Sequence, residues 1–152
     1  MDTTAGCDPA APLLLVRRAG LAGERDVAAL LRDVPVGPVE VADLIRHHRV
    51  LVLSDLTLPP AAPPLAAAAF RFHRPTGTAH LVGIGVRLDR RRQGLGRRLL
   101  TSALTWLRAE GWEEVHAPAA TGASASLLAS VGFTANCGTN GADGRGCLVL
   151  LL

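Results

Sequence analysis

The sequence predicts a mixed α/β domain, with one mainly antiparallel central sheet of about six to seven strands flanked by about four helices. Short apolar runs typical of strands alternate with segments whose apolar residues recur at helical spacing. Glycines and prolines separate these segments, and we find no internal repeat. The 152 residues suit a single domain spanning residues 1–152, in which we expect residues 1–11 to be a flexible N-terminal segment.

The first quarter of the chain predicts one strand followed by two helices. A short apolar run at residues 13–16 indicates the strand, and from Glu24 onward apolar residues recur at helical spacing. Pro35 and Pro38 should end this first helix, because proline lacks the N–H that a helix interior requires. We expect the second helix over residues 39–49.

Three further strands should form an antiparallel meander. Apolar runs predict them at residues 50–53, 65–73 and 79–88. The proline-rich segment at residues 58–64 cannot be a central strand, because proline donates no hydrogen bond to a neighbouring strand.

The rest of the chain continues with helix, strand, helix and a terminal hairpin. A long helix should end near Gly111, and residues 114–117 should form a strand. A short helix is expected over residues 124–131, and residues 133–137 and 147–152 should pair as a hairpin with a long tip. The long helix is predicted by the apolar stripe of Leu99, Leu100, Ala103, Leu104 and Leu107.

The positive charge of the chain is concentrated in one segment. All sixteen basic residues are arginines, and six of them fall within residues 87–98, although the net charge is only +3. Such a cluster indicates an anionic ligand bound at one place. Because no aromatic residue interleaves these arginines, base stacking is not supported and we expect no nucleic-acid partner.

The cysteines and the apolar runs indicate a soluble cytoplasmic protein. Cys7, Cys137 and Cys147 are odd in number and show no C-x-x-C spacing, so neither a disulfide framework nor a metal site is expected. The first residues lack the pattern of a signal peptide. No apolar run approaches the roughly 18 residues that span a membrane, so we expect no membrane contact.

The segment with most chemical content joins the predicted strand ending near Val86 to the long helix. Gly94 and Gly96 lie where the helix begins, so the backbone there can approach a ligand closely. The first N–H groups of a helix have no intrahelical partner and attract anions such as phosphate. The segment is not a Walker A loop, and it lacks the third glycine of the dinucleotide fingerprint.

Two motifs carry a resemblance to a known family. The pattern Val86-x-x-x-x-Arg91-x-x-Gly94-x-Gly96 resembles motif A of the GCN5-related N-acetyltransferases, or GNAT family, written Q/R-x-x-G-x-G/A. The run from Leu127 to Phe133 is similar to their motif B, which commonly ends in L-Y-x-x-x-G-F. The order of predicted elements agrees, so the resemblance covers nearly the whole chain from residue 13 to residue 152.

The resemblance implies acetyl-CoA or another acyl-CoA as co-substrate. The pyrophosphate would lie on backbone N–H groups of the loop, and the pantetheine arm would pair with the preceding strand like an added strand. The family sheet splays after this strand, the acceptor amine enters beside the opening, and a backbone N–H near Val86 would stabilise the oxyanion. The implied coenzyme-binding residues are Ile84, Gly85, Val86, Arg91, Arg92, Gln93, Gly94, Leu95, Gly96, Arg97 and Leu127.

The base that deprotonates the acceptor should lie near the opening of the sheet. We expect His116 first, because family members often place a base on that strand and imidazole has a suitable intrinsic pKa. His80 and Asp89 are lesser candidates. A histidine that only completes the packing of the sheet is the alternative for His116.

The acid that protonates the leaving thiolate departs from the family pattern. The position of the usual tyrosine is Leu128, and the chain contains no tyrosine. Ser124, or alternatively Ser126 or a bound water, would then contact the coenzyme sulfur. The asparagine that often precedes this helix is Gly122.

Two functions follow from these expectations. The first is transfer of an acetyl or other short acyl group to a primary amine of a small molecule or peptide, by direct attack in a ternary complex. The alternative is a catalytically weak or inactive acyl-CoA-binding sensor or interaction module of the same fold. The first two helices and the terminal hairpin would shape the acceptor site, where Glu40 and Asp143 could attract a cationic amine. The sequence is also compatible with a homodimer.

Overall fold

The computed structural model describes residues 13–32, 38–47, 49–118, 122–136 and 147–152. The expected flexible segment, Cys7, Cys137 and the hairpin tip with Asp143 lie outside the described residues. The strands are β1 (Leu14–Arg18), β2 (Val50–Asp55), β3 (Ala66–His73), β4 (Thr78–Val86), β5 (Glu114–Pro118), β6 (Thr134–Asn136) and β7 (Cys147–Leu151). The helices are α1 (Glu24–Leu30), α2 (Pro38–Arg46), α3 (Leu95–Ala109) and α4 (Gly122–Ser130).

One sheet organises the described residues, and it confirms the predicted fold class. Its seven strands follow the order β1-β2-β3-β4-β5-β7-β6. Strands β1 to β4 form the expected antiparallel meander, and β6 pairs with β7 as the expected hairpin. The β4–β5 pair is parallel, because the chain crosses over through α3 between these strands.

The helices cover the two faces of the sheet. Helices α1 and α2 bury Val27, Leu31 and Ile45 against alanines of β3 and valines of β2. Helix α3 buries its leucine stripe on the opposite face, where Phe70 and Trp112 complete the core. No helix in the described part of the chain is both long and apolar enough to span a membrane.

Several element boundaries differ from the sequence-based expectation. Helix α1 ends at Leu30, before the two prolines that were expected to end it. Helix α2 ends at Arg46 and not at Arg49, because Arg49 already belongs to the sheet, where its carbonyl accepts a hydrogen bond from the N–H of Phe70 at 2.9 Å. Strand β4 ends at Val86 and not at Leu88, because residues Leu88–Arg90 form a short 3₁₀ turn.

The sheet opens between β4 and β5. The two strands pair only from Thr78 with Glu114 to His80 with His116. Next to this point the β3–β4 register shifts, so that Val82 is an extra residue opposite the junction of Ala69 and Phe70. This is a β-bulge, which bends a strand and changes its twist.

The backbone of the second half of β4 faces this opening. The N–H of Arg87 donates to the carbonyl of Leu65 at 2.9 Å, so Arg87 points its backbone groups toward β3. Because backbone groups alternate in direction along a strand, those of Ile84 and Val86 point away from β3 and into the opening. This arrangement is the splayed sheet that the resemblance implies.

Candidate coenzyme site

The loop between β4 and α3 has a strained backbone. Arg91 is extended, Arg92 is left-handed with φ of 63°, and Gly94 is left-handed with φ of 74°. A positive φ is uncommon for any residue with a side chain, and such strain clusters at ligand sites. Left-handed residues among right-handed ones turn backbone N–H groups into an anion-binding concavity. The loop geometry therefore suits a phosphate group.

The start of α3 lacks the groups that usually complete a helix. Its N-cap residue Gly94 supplies no side-chain hydrogen bond, and the first turn contains no acidic residue. Exposed Arg97 and Arg98 occupy that turn. Arginine is unfavourable beside the positive end of a helix dipole, and four N–H groups there need acceptors. An anion would satisfy these N–H groups and offset the charge of both arginines.

Gly96 lets three elements meet at this helix start. A Cβ on Gly96 would lie 3.3 Å from Cδ2 of Leu127 and 3.4 Å from Cγ2 of Val86. Strand β4, helix α3 and helix α4 therefore converge on this glycine. Ser124 lies three residues before Leu127, on the same side of α4. It is therefore about one helical turn before the contact between Leu127 and Gly96. Its side chain is exposed.

Arg91 links the loop to β4, the strand with which the pantetheine arm was expected to pair. Its Nε donates a hydrogen bond of 3.2 Å to the carbonyl of Val86, the group that faces the opening of the sheet. Nearby, Arg87 and Asp89 form a bidentate ion pair at 2.8 and 3.1 Å. Asp89, a lesser candidate for the base, is thus engaged by a charged partner within the loop.

Gly85 brings α1 directly onto β4. A Cβ at Gly85 would lie 1.8 Å from the carbonyl oxygen of Leu30, the last residue of α1. No other residue type allows that approach without displacing one of the two backbones. The end of α1 is thereby fixed against the strand whose next residues face the opening.

A cavity of about 460 Å³ lies beside this contact on the α1 side of the sheet. It reaches from α1 past the end of β4 to the start of the loop. Its lining is mixed, because apolar walls carry both acidic and basic side chains. The lining residues are Asp26, Ala29, Leu30, Arg32, Pro63, Pro64, Val86, Arg87, Leu88, Asp89 and Arg91.

His116 and His80 meet where the sheet opens. They are the final residues of the β4–β5 pairing, and their ring centroids are 5.2 Å apart. Because Val115 and Ala117 face α3, His116 faces the other side of the sheet, which carries α1 and α2. Burial lowers the pKa of His80, and the neighbouring His116 lowers it further.

Glu114 completes this group, and the sequence analysis did not single it out. Its Oε2 lies 2.9 Å from Nε2 of His116, two residues along the same strand. The E-x-H spacing was visible in the sequence, because residues i and i+2 of a strand share a face. The proximity of His80 was not visible, because it depends on the β4–β5 register.

The structure also shows the surroundings of other residues that the sequence analysis named. Leu128, at the position of the usual tyrosine, is 4% exposed and packs in the core. Glu40 forms an ion pair with Arg71, so its carboxylate is already neutralised. Ser126 is exposed on α4.

Comparison with known proteins agrees with this geometry. The model of the acetyltransferase (GNAT) family matches residues 47–138. N-acetylglutamate synthase from Neisseria gonorrhoeae, solved with coenzyme A and N-acetyl-glutamate, has a TM-score of 0.75 at 16% identity, over 93% of this chain and 36% of that chain. This chain therefore spans about a third of the length of that protein.

Two further structures are similar over almost their full length. IAA acetyltransferase from Bacillus cereus has a TM-score of 0.68 at 14% identity, over 92% of this chain and 100% of that chain. Ribosomal-protein-S18-alanine N-acetyltransferase from Escherichia coli has a TM-score of 0.64 at 20% identity, over 92% and 93%. No curated protein sequence matches the chain significantly. At these identities the structural matches establish the shared fold.

Proposed function

Because the chain belongs to the acetyltransferase (GNAT) family, we propose that it transfers an acetyl or other short acyl group from acyl-CoA to a primary amine. The acceptor would be a small molecule or a peptide. The observation that carries the proposal is the start of α3, where uncapped N–H groups, two glycines and exposed arginines lie together without an acidic residue.

The coenzyme would lie along the loop and β4. Its pyrophosphate would accept hydrogen bonds from the backbone of residues 91–97, with Arg92 and Arg97 adding charge. Its pantetheine arm would pair with the backbone of Ile84 and Val86, whose groups face the opening. Leu127 would contact the arm from α4. Gly85 would act through Leu30, by holding α1 against the strand.

The reaction would be direct attack in a ternary complex. A base removes a proton from the acceptor ammonium, and the free amine then attacks the thioester carbon. The C–N bond forms, the oxyanion is stabilised by a backbone N–H of β4, and the C–S bond breaks, while the second proton of the attacking nitrogen passes to the leaving thiolate. We assign the base to His116, because it stands at the opening on the side of α1 and α2. Ser124 or a water would contact the leaving thiolate, which needs little acid assistance because thiols have pKa values of about 8–9.

A second candidate is acyl-CoA binding without transfer. It is favoured by one observation: the position of the family tyrosine is Leu128, and this residue is buried. Both candidates require the same coenzyme site, and only the first requires the histidine.

Thermal unfolding and a thiol-release assay test these proposals in sequence. Acetyl-CoA, propionyl-CoA and succinyl-CoA are each added to the protein during unfolding, because a ligand that binds the folded state raises the Tm. No change in Tm with any of them would contradict both candidates. Free thiol is then measured with a panel of amino acids, polyamines and peptides. Amine-dependent thiol release supports transfer, whereas a raised Tm without release on any amine supports the sensor.

A further inference from the structure

The three ionisable side chains at the opening form a connected row on one face of the sheet. Glu114 contacts His116 on β5 at 2.9 Å, and His116 stands 5.2 Å from His80 on β4, measured between ring centroids. The row ends where β4 and β5 separate. Val149 of β7 lies opposite His116 and contributes no charge.

The hydrogen bond between Glu114 and His116 determines which ring nitrogen of His116 carries a proton. A carboxylate only accepts hydrogen bonds, so Nε2 of His116 carries a proton and donates a hydrogen bond to Glu114. Nδ1 is then the ring nitrogen that would accept the proton of the acceptor amine. Without Glu114, either nitrogen could carry the proton of the neutral ring.

The charge balance around the row gives Glu114 a second role. Arg71 and His73 of β3 both oppose a positive charge on the neighbouring His80. Glu40 of α2 is already paired with Arg71. The Glu114 carboxylate, 2.9 Å from Nε2 of His116, is placed to offset an imidazolium there.

We propose that Glu114 is a positioning residue for proton removal, which orients His116 and offsets the positive charge that His116 gains from the acceptor amine. This inference rests on the proposed transfer reaction. In the step, the ammonium proton moves to Nδ1 of His116, while the Nε2 proton remains hydrogen-bonded to Glu114. His80, whose pKa is lowered, stays neutral beside the new cation and adds no repulsion.

Replacement of Glu114 in the full chain tests this role through kinetics. With the best amine of the panel, Glu114→Gln removes the charge but keeps an acceptor oxygen, and Glu114→Ala removes both. We expect kcat to fall about tenfold in Glu114→Gln and further in Glu114→Ala, as a fraction of the roughly 10²- to 10⁴-fold that a general base contributes. KM for acyl-CoA should stay unchanged, and Glu114→Asp should recover part of the rate.

Glu113→Gln is the matched control. It makes the same change of charge at the adjacent exposed residue, which precedes β5, and should retain the wild-type kcat. An unchanged kcat in Glu114→Ala, or an equal loss in Glu113→Gln, would overturn the proposal.

A spectroscopic readout keeps this test independent of turnover. The ¹⁵N shifts of the His116 ring should report the Nε2–H tautomer in the wild-type protein and a mixture of tautomers in Glu114→Ala. A mixture already present in the wild-type protein would overturn the orienting role. If none of the amines causes the wild-type protein to release thiol, the proposed transfer reaction is wrong. The tautomer measurement then still decides whether Glu114 orients His116.

Discussion

Introducing glutamate at either end of α3 separates coenzyme binding from helix stability. Gly94 precedes the helix with φ of +74°, and Gly111 follows it with φ of +89°. A Cβ added at either position would have no heavy atom within 4 Å, so a side chain meets open space. Gly94→Glu places a carboxylate where we put the pyrophosphate, and Gly111→Glu is the matched control far from it.

The cost in stability can be estimated for both variants. A residue with a side chain in the left-handed region costs roughly 1–2 kcal/mol. For a chain of this size, about 1 kcal/mol lowers the Tm by roughly 2–4 °C, so a decrease of roughly 2–8 °C is expected. The helix dipole changes this by about 0.3–1 kcal/mol, in favour of Gly94→Glu and against Gly111→Glu. Without ligand, Gly94→Glu should therefore be the more stable variant.

Acyl-CoA should reverse that order. A ligand at 100 times its Kd stabilises the folded state by about 2.7 kcal/mol, which corresponds to a rise in Tm of roughly 5–11 °C. We expect this rise in the wild-type protein and in Gly111→Glu, and none in Gly94→Glu. An equal rise in Gly94→Glu would refute the placement of the pyrophosphate at the start of α3.

Three further predictions concern the surroundings of the site. Gly85→Ala should lower the free energy of unfolding by about 3 kcal/mol, because it forces α1 away from β4. As a control, Gly20→Ala meets no atom within 4 Å and should be close to neutral. Equal denaturation midpoints for the two variants would contradict the contact between Gly85 and Leu30. Replacing Arg97 and Arg98 by glutamine should raise the Tm without ligand and weaken acyl-CoA binding in calorimetry, and unchanged affinity would exclude both arginines from the site. Because the pKa of His80 is lowered in the folded protein, the unfolded chain binds a proton more readily there. Stability should therefore decrease as the pH falls below about 6.5. If His80→Gln leaves the dependence of Tm on pH unaltered, another group is responsible.

The loop between β4 and α3, where we propose that the coenzyme binds, could be predicted from the sequence because its determinants are local. Gly94, Gly96 and the arginines are contiguous, and the strand before them and the helix after them follow from apolar periodicity. The conformation of Arg92 was not predictable, since its positive φ depends on how β4 and α3 are held. The fold class was predictable for the same reason as the loop, because each element has its own apolar pattern.

The proposed catalytic side of the site depends on contacts between distant segments. His80 and His116 are 36 residues apart, and only the parallel register of β4 and β5 brings them together. Gly83 follows the bulge at Val82, but a glycine inside a strand does not by itself locate a bulge. The close contact between Gly85 and Leu30 is equally hidden, because a glycine within a strand has many possible causes.

The opening between β4 and β5 has a consequence for the protein without its coenzyme. The backbone of Ile84 and Val86 amounts to an edge strand inside the sheet, and edge strands readily add an extended segment from another chain. Proteins guard such edges with charged side chains, and the guanidinium of Arg91 already holds the carbonyl of Val86. We expect this bond to hinder the pairing of another chain with the interior edge, and coenzyme that pairs with the same strand would have the same effect.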